Sequence, residues 1–511
     1  MRRQYLPVLD SREAAQWDQL SISAGITSTT LMSWAAYAVF QEITQLDNFN
    51  NYTDIHILTG PGNNGGDGYA LAWLLGASVD KNIFIWKFQN PATIDSKYFA
   101  EICTKIKSAN ISIEDISMFQ PINLSHTSII IDAIYGIGLN KNLPDQIQKI
   151  ITLINRNKKS LKIAIDISTG LSADGAIFSN EPFKADITIT FGAYKIGHLI
   201  EPGILFTGKI IVKPVGFISQ LQPPRRLISP VIIIPPLRKE DSHKYKNGVA
   251  HIFGGSSGME GAAIMAAYAF LALGGGLAKI YTTSPDLKNI LSILPELMVI
   301  SNNDPEKIEA LYLDALQNRT ENSTCIIGPG KSEILSSSFW KTVLNIDIKI
   351  IIDGSSLKNI YLNKDLFKKQ KSATLIFTPH LSEAESLLQK KISNIREAAL
   401  EIVNNYNTHI YFKGPGGLIT FYPYSEEVFV NSKEYQLSTG GTGDILCGVI
   451  ANMLVRKMPV EKALESAVYL YSKSATKVTT NYTKNNKSIK DFLLPSELIE
   501  ELRKTMTALT V

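Results

Sequence analysis

Cysteine is scarce in this chain: Cys103, Cys325 and Cys447 are the only three in 511 residues. They stand far apart and are odd in number, which supports neither a disulfide framework nor the paired spacing of a zinc site and fits a reducing compartment. Charge of one sign is lacking too. With 51 Lys and Arg against 47 Asp and Glu, the formal net charge is +4, too small an excess over this length to argue for a nucleic-acid partner. The basic clusters Lys368-Lys369-Gln370-Lys371 and Lys484-Asn485-Asn486-Lys487 read as solvated loops. Long apolar runs are missing as well. The stretch 261–278 comes near the ~18-residue length of a membrane span, but Gly274-Gly275-Gly276 would end a helix there, so a buried core helix is expected. No apolar signal core follows Met1-Arg2-Arg3, and Asp10 and Glu13 arrive early. A soluble, cytoplasmic protein with no membrane partner is expected.

What the chain has is alternation. Its length calls for two or three domains. After helical spacing over roughly 11–43, strand-type runs at 82–88, 128–132, 162–167, 186–191 and 209–215 are separated by helix-length segments, which implies parallel strands with helices on both faces. Proline density from Gln220 through Pro223-Pro224, Pro230 and Pro235-Pro236 marks a linker or an extended crossing segment. A second alternating block follows, with strands at 249–253, 277–282, 325–327, 348–352, 374–377 and 409–412, and a last clear helix at 444–454. The expected organisation is an N-terminal Rossmann-like three-layer αβα domain over 1–218, a Pro-rich linker over 219–236 and a second, C-terminal αβα domain over 237–511.

The first block is organised around Gly60-Pro61-Gly62-Asn63-Asn64-Gly65-Gly66-Asp67-Gly68, set between a strand-type run and helical spacing. Strand, glycine turn and helix bring bare N–H groups and a helix N-terminus to a phosphate. Asn63, Asn64 and Asp67 add side-chain oxygens fit for a cation or a sugar hydroxyl; the plain alternative is a capped tight turn. Three further loops follow strands of the same sheet: the one carrying Asp132 and Gly136, the one running from Asp166 through Thr169 to Asp174, and Phe191-Gly192-Ala193-Tyr194-Lys195. A strand-end carboxylate sits where ligands bind in such folds, although a single one is usually a turn cap.

On these motifs the first block, about 1–217, resembles the NAD(P)H-hydrate epimerase family. The resemblance implies K⁺ held by Asn64, Asp132 and the hydroxyl of Thr169. It also implies a hydrated dinucleotide lined by Asn63, Asn64, Gly65, Gly66 and Asp67, by Gly136, Ile137, Gly138, Leu139, Asn140, Lys141 and Asn142, and by Asp166. Asp166 is the candidate for acid–base work at C6 of the hydrated nicotinamide. Ser168 and Thr169 depart from the family's Pro-Ser pair, and Thr keeps the oxygen.

In the second block, Thr439-Gly440-Gly441-Thr442-Gly443-Asp444 opens a helix and leaves N–H groups unobstructed at its positive end. A carboxylate there could accept a hydroxyl proton during phosphoryl transfer. Lys413-Gly414-Pro415-Gly416-Gly417 reads as a second phosphate-friendly loop. Gly330-Lys331-Ser332 copies the tail of a P-loop, but Cys325 stands where the earlier glycine is required, so the Walker reading fails.

From about residue 243 the chain is similar to the ADP/ATP-dependent NAD(P)H-hydrate dehydratases of the ribokinase-like superfamily, on Gly254-Gly255-Ser256-Ser257-Gly258, Gly328-Pro329-Gly330, Thr378-Pro379-His380 with Glu383, Lys413-Gly414 and the segment ending at Asp444. The resemblance implies hydrate contacts from Ala263, Gly330, His380 and Asp444, with Asp444 catalytic. It implies adenine-nucleotide contacts from Lys413 to Gly417 and from Gly443, with Mg²⁺ accompanying ADP or ATP. Ser355, Ser332, Ser382 and Tyr471 depart from the family pattern, and serines in place of glycines are expected to weaken substrate binding. The expected activity is repair of hydrated NADH and NADPH, by epimerisation at C6 and nucleotide-dependent dehydration of the S-epimer, in a homo-oligomer. The competing reading is a ribokinase-like vitamin or sugar kinase fused to a non-catalytic nucleotide-binding module, which leaves the Gly60–Gly68 loop unexplained.

Overall fold

The computed structural model describes residues 6–105, 110–120, 124–125, 127–218, 223–228, 242–287, 289, 294–370, 372–433, 435–486 and 493–510. The chain forms two compact units, Met1–Leu227 and Ile228–Val511.

The strands of the first unit are β1 (Val8–Leu9), β2 (Asp54–Thr59), β3 (Asn82–Lys87), β4 (Ile111–Asp115), β5 (Ser128–Ala133), β6 (Leu161–Ile165), β7 (Ile187–Phe191), β8 (Tyr194–Lys195), β9 (Lys209–Lys213) and β10 (Arg225–Leu227). Seven of them form a sheet in the order β4-β3-β2-β5-β6-β7-β9, and every neighbouring pair is parallel. The central strand β5, Ser-Ile-Ile-Ile-Asp-Ala, is buried along its whole length, as a strand covered on both faces must be. The helix Asp145–Arg156 shows how one of those faces is covered: Ile147, Ile150, Ile151 and Ile154 fall on one stripe and are buried. Strand order reverses between β2 and β5, so a crevice opens beyond their C-terminal ends. The glycine loop follows β2 and the Asp132 loop follows β5.

The second unit contains β11 (Val249–Phe253), β12 (Leu277–Thr282), β13 (Met298–Ser301), β14 (Ser323–Ile327), β15 (Lys349–Ile352), β16 (Thr374–Phe377), β17 (Thr408–Phe412), β18 (Leu418–Thr420) and β19 (Glu427–Phe429). They run in the order β19-β18-β17-β16-β15-β14-β11-β12-β13. The sheet is parallel from β13 to β17 and closes with antiparallel β18 and β19. Here the order reverses between β11 and β14. The core is anchored by the helix Thr442–Val455, buried nearly all round and packed on the helix Glu260–Ala272. Gly448 allows that contact, because a side chain there would strike the Ala266 carbonyl at 2.2 Å.

Several expectations change. The helical stretch over 11–43 is two helices, Ser11–Ser23 and Ser28–Thr44. Asp10 caps the first, accepting from the Glu13 N–H at 2.8 Å. Lys413–Gly417, read as a loop after a strand, forms the turn of the β17–β18 hairpin. Arg225–Leu227, inside the stretch read as linker, is a strand whose Arg225 is buried against Asp10 and Glu13; Gln220, Pro230, Pro235 and Pro236 lie outside the described residues. The cluster at Lys484 is the end of a long helix, Val460–Asn486, and a further helix, Pro495–Thr510, follows. Lys368 and Lys369 end the helix Lys364–Lys369, whereas Lys371 and Lys487 lie outside the described residues. No helix among the described residues is long and apolar enough to cross a membrane.

Candidate functional site

In the first unit the helix begins at Asn63, with Gly62 at its N-cap and no side-chain cap, so its leading N–H groups remain available. Most of the glycines serve close packing. A Cβ on Gly60 would meet the Ile134 carbonyl at 1.9 Å, and one on Gly65 would meet the Gly60 carbonyl at 1.9 Å. Gly66 faces the Met32 side chain in the same way, whereas Gly62 and Gly138 face open space.

The three expected cation ligands form one patch. Asp132 is fully buried and accepts from the Thr169 N–H and the Thr169 hydroxyl, each at 2.7 Å, and from the Ile134 N–H at 3.2 Å. The Thr169 oxygen in turn accepts from the Tyr135 N–H at 3.1 Å. Next along, a Cβ on Gly136 would lie 3.5 Å from the Asn64 amide oxygen. Asn64 is 8% exposed, yet neither its oxygen nor its nitrogen has a hydrogen-bond partner. Burial pushes the Asp132 carboxyl up to about 6, against the Thr169 and Ile134 bonds, and no cationic side chain pairs with it among the described residues. An orphaned amide, a hydroxyl and an uncompensated carboxylate make an oxygen-only set with one negative charge, which suits a hard monovalent cation.

Asp166 ends β6 with φ +61°, a conformation that costs a non-glycine residue about 1–3 kcal/mol. Its Oδ1 accepts from Lys195 Nζ at 2.5 Å and from the Thr190 hydroxyl at 2.8 Å. Lys195 is buried and also donates to Thr190 Oγ1 at 2.7 Å and to the Phe191 carbonyl at 3.2 Å. Burial alone would raise the Asp166 carboxyl, but the Lys195 ammonium outweighs it and holds the group below the usual carboxylate range. Two more acids face it. Burial, then Asp166 and Asp18, push Asp67 well above that range, and burial with Asp166 raises Asp18 to about 6. Asp174, at the end of the same loop, accepts from the Ser11 N–H at 2.7 Å and its hydroxyl at 2.6 Å, and so docks the helix that carries Asp18.

The segment 136–142 is irregular. Gly138, Asn140, Lys141 and Asn142 are exposed and Ile137 is half-buried. Leu139 packs in the core with Leu143 and Ile147, so its side chain anchors the loop.

In the second unit Gly441 caps the helix at φ +97° without a side-chain hydrogen bond. Asp444 lies in the first turn, half-buried. Lys413 Nζ reaches the same place: a Cβ on Gly443 would lie 3.4 Å from it and 3.7 Å from Asp353 Oδ2. The ammonium is 2.6 Å from Asp353 Oδ1 and 3.6 Å from Glu383 Oε2. Burial works to raise Asp353, but Lys413 holds it below the ordinary value. Burial and Asp353 lift Glu383, and burial, then Asp353, pushes Asp444 up to about 7 against the pull of Lys413. His380 caps the helix Leu381–Leu388: its N–H donates to Glu383 Oε2 at 2.9 Å, and its ring contacts Ser382 Oγ at 3.0 Å and Glu383 Oε1 at 3.4 Å. Gly330 needs its φ of +60°, and a side chain there would strike the Met259 carbonyl at 2.2 Å. Ala263 is fully buried, its methyl 3.0 Å from where a Gly255 Cβ would be. In the hairpin turn Gly414 is exposed, Pro415 half-buried, and Gly416 and Gly417 buried.

The departing serines lie outside the left-handed region, so no backbone angle is forbidden to them. Ser355 Oγ donates to the Lys331 carbonyl, and the Ser332 N–H donates to Ser256 Oγ at 3.1 Å. Lys331, in the rejected P-loop string, is buried over Phe253 and paired with Glu333 at 3.1 Å. Lys195, Asp353, Glu383 and Asp18 are the participants that motif reading did not assign; each lies tens of residues from its partner in sequence.

Two α/β units, each with a lysine-bound aspartate and further acids near a glycine-opened helix N-terminus, have the layout of two enzyme sites. The model described as NAD(P)H-hydrate dehydratase matches residues 250–494, and the YjeF-related protein N-terminus matches residues 28–197. The bifunctional NAD(P)H-hydrate repair enzyme of Dictyoglomus turgidum is 27% identical over 480 residues, covering 89% of this chain and 91% of its own. That of Escherichia coli is 28% identical over 465 residues, covering 87% and 84%. Among solved structures, the ADP/ATP-dependent NAD(P)H-hydrate dehydratase from Bacillus subtilis co-crystallised with ATP/Mg²⁺ is 25% identical and covers 53% of this chain and 94% of that one, with a TM-score of 0.43. The chain belongs to the family of bifunctional NAD(P)H-hydrate repair enzymes.

Proposed function

We propose that this chain returns hydrated NADH and NADPH to use, by epimerising the hydrate at C6 in its first unit and dehydrating the S-epimer with ADP or ATP in its second. The observation that carries the reading is that both units set a lysine-bound aspartate and further acids beside a helix N-terminus opened by glycine. Inverting C6 requires a C6–O or C6–N1 bond to open and re-form on the other face, so one group takes a proton and another gives one. Asp166 is the acceptor and Asp67 the donor. Asn64, Asp132 and Thr169 would hold K⁺, whose charge compensates Asp132 and orders the loops around the dinucleotide.

In the second unit, Asp444 takes the C6 hydroxyl proton as the oxygen attacks the terminal phosphate of the nucleotide. Loss of phosphate from C6 and of a proton from C5 then restores the C5–C6 double bond. Lys413 and the N–H groups at Gly443 face the transferring phosphoryl group. Mg²⁺, where it accompanies the nucleotide, would be carried mainly by the nucleotide's phosphates and would offset their charge during transfer.

The test is incubation of the purified chain with mixed hydrate epimers, with and without ADP or ATP. Chromatography should show epimer exchange without nucleotide, and the nicotinamide absorbance should recover only with it. Exchange and recovery both absent from a folded preparation would overturn the proposal.

A further inference from the structure

Asp166 has to be held where it is. The turn Ile165-Asp166-Ile167 closes with the Ile167 N–H donating to the Ile165 carbonyl at 2.8 Å, with Asp166 at φ +61°. This is γ-turn geometry with positive φ, which is rare and strained. The Asp166 N–H is fixed by the Ile189 carbonyl at 2.8 Å. The Asp166 carbonyl lies 2.9 Å from His198 Nε2. The other ring nitrogen, Nδ1, lies 3.1 Å from the backbone nitrogen of Lys195. A backbone N–H can only donate, so Nδ1 accepts and the ring proton sits on Nε2, directed at the Asp166 carbonyl. One fully buried imidazole therefore ties the backbones of the two residues whose side chains meet through Lys195 Nζ and Asp166 Oδ1.

We propose that His198 is a positioning residue for epimerisation, setting the backbone of the base Asp166 against the backbone of its counter-charge Lys195. The kinetic part of this inference rests on the epimerase reading of the site; the structural part does not. Asp166 is faced by Lys195 and Thr190 through hydrogen bonds, by His198, and by the carboxyls of Asp67 and Asp18. Removing the imidazole leaves Lys195, Thr190, Asp67 and Asp18 in the chain but frees the turn and the lysine backbone to drift. A misplacement of about 1 Å in a reacting group can cost on the order of 10²-fold.

The experiment uses the full chain carrying His198→Leu, which removes both bonds, and His198→Gln, which keeps a donor and an acceptor. His198→Leu is expected to lower kcat for epimerisation roughly 10–100-fold with KM changed little, and His198→Gln to recover part of the loss. Nucleotide-dependent dehydration by the same preparations serves as the reference for folding and concentration. Carboxyl NMR should show Asp166 titrating closer to the ordinary Asp value of ~3.9 in His198→Leu than in the wild type. An unchanged kcat together with an unchanged Asp166 titration overturns the proposal. Should the Leu variant not fold, the same two readings on His198→Gln decide it: a partial fall with an upward titration supports the role, and no change in either sinks it. Should the wild type show no epimerisation, the activity assigned to this unit is wrong, while the Asp166 titration still decides the positioning.

Discussion

The two units use the same parts and assign the lysine differently. In the first, Lys195 binds Asp166, the residue placed for proton transfer, and leaves Asp67 and Asp18 raised by burial. In the second, Lys413 binds Asp353 and leaves Asp444, the residue placed for proton transfer, unpaired and raised to about 7. One ammonium among several buried carboxylates can keep one of them ionised cheaply, and the others respond by holding protons. Which aspartate receives it decides whether the base is charged at every physiological pH or only above neutrality. A base kept always charged suits a reaction that needs a standing acceptor and donor. A base near 7 suits a step in which it takes a proton from an attacking hydroxyl and must not be too weak a base to do so.

The sharpest way to break this comparison is to exchange the losses. Asp444→Asn should reduce nucleotide-dependent dehydration ~10²–10⁴-fold and leave epimerisation within about twofold, while Asp166→Asn should do the reverse. If either substitution in a folded chain removed both activities, the two-site reading would fall. The next effect tests the orphaned Asn64 amide and the buried Asp132 of the first unit. Saturating K⁺ at constant ionic strength should stabilise the first unit by up to about 2.7 kcal/mol at a hundred times the dissociation constant, seen as a rise in its thermal transition. Asp132→Asn should abolish that rise. A K⁺ response that survives in the variant would remove Asp132 from the site.

The pH profiles then separate the two bases. Dehydration should increase roughly tenfold between pH 6 and 8 as Asp444 loses its proton around 7. Epimerisation should be flat on that limb down to below the usual carboxylate range, because Lys195 keeps Asp166 ionised. The linkage has the opposite sign for stability. A carboxyl raised in the folded state contributes stability below its unfolded value and loses it as pH rises through the folded one, so Asp444→Asn should gain on the wild type above pH 7 and not below pH 4. Coincident limbs for the two reactions would end the argument from lysine placement.

Legibility in the sequence followed distance along the chain. The glycine loop and the opening of the Asp444 helix were readable because turn, cap and carboxylate fall within a few residues. Strand ends such as Asp132 and Asp166 were readable because a parallel sheet puts them on one edge. The pairing of Asp166 with Lys195 and of Asp353 with Lys413 was not, since which strand ends come together depends on strand order, with β16 lying between the strands that precede Asp353 and Lys413, and Asp18 arrives on a helix docked by Asp174. The pairing of β18 behind Lys413–Gly417 was not read because β18 is only three residues long. β4 and β13 were missed because edge strands need no continuous apolar run.

The smallest effect concerns Ser382, where a side chain in place of glycine was expected to crowd the substrate. Its backbone is ordinary helix and the residue is exposed, so the glycine is not required there for conformation. Its hydroxyl instead meets His380 Nδ1 at 3.0 Å, while the far ring nitrogen faces Glu383 at 3.4 Å. The serine therefore orients the histidine, and the departure from glycine is compensated locally. Ser382→Gly should raise KM for the S-hydrate roughly two- to threefold, the worth of one exposed hydrogen bond, with kcat unchanged. Glycine also costs about 0.5 kcal/mol of helix propensity relative to serine, so Ser382→Ala is needed to separate loss of the hydroxyl from loosening of the turn. If KM rises equally in both variants, the hydroxyl is responsible. A KM that falls in Ser382→Gly and not in Ser382→Ala would restore steric crowding as the explanation, and would place this loop closer to the substrate than the His380 contact suggests.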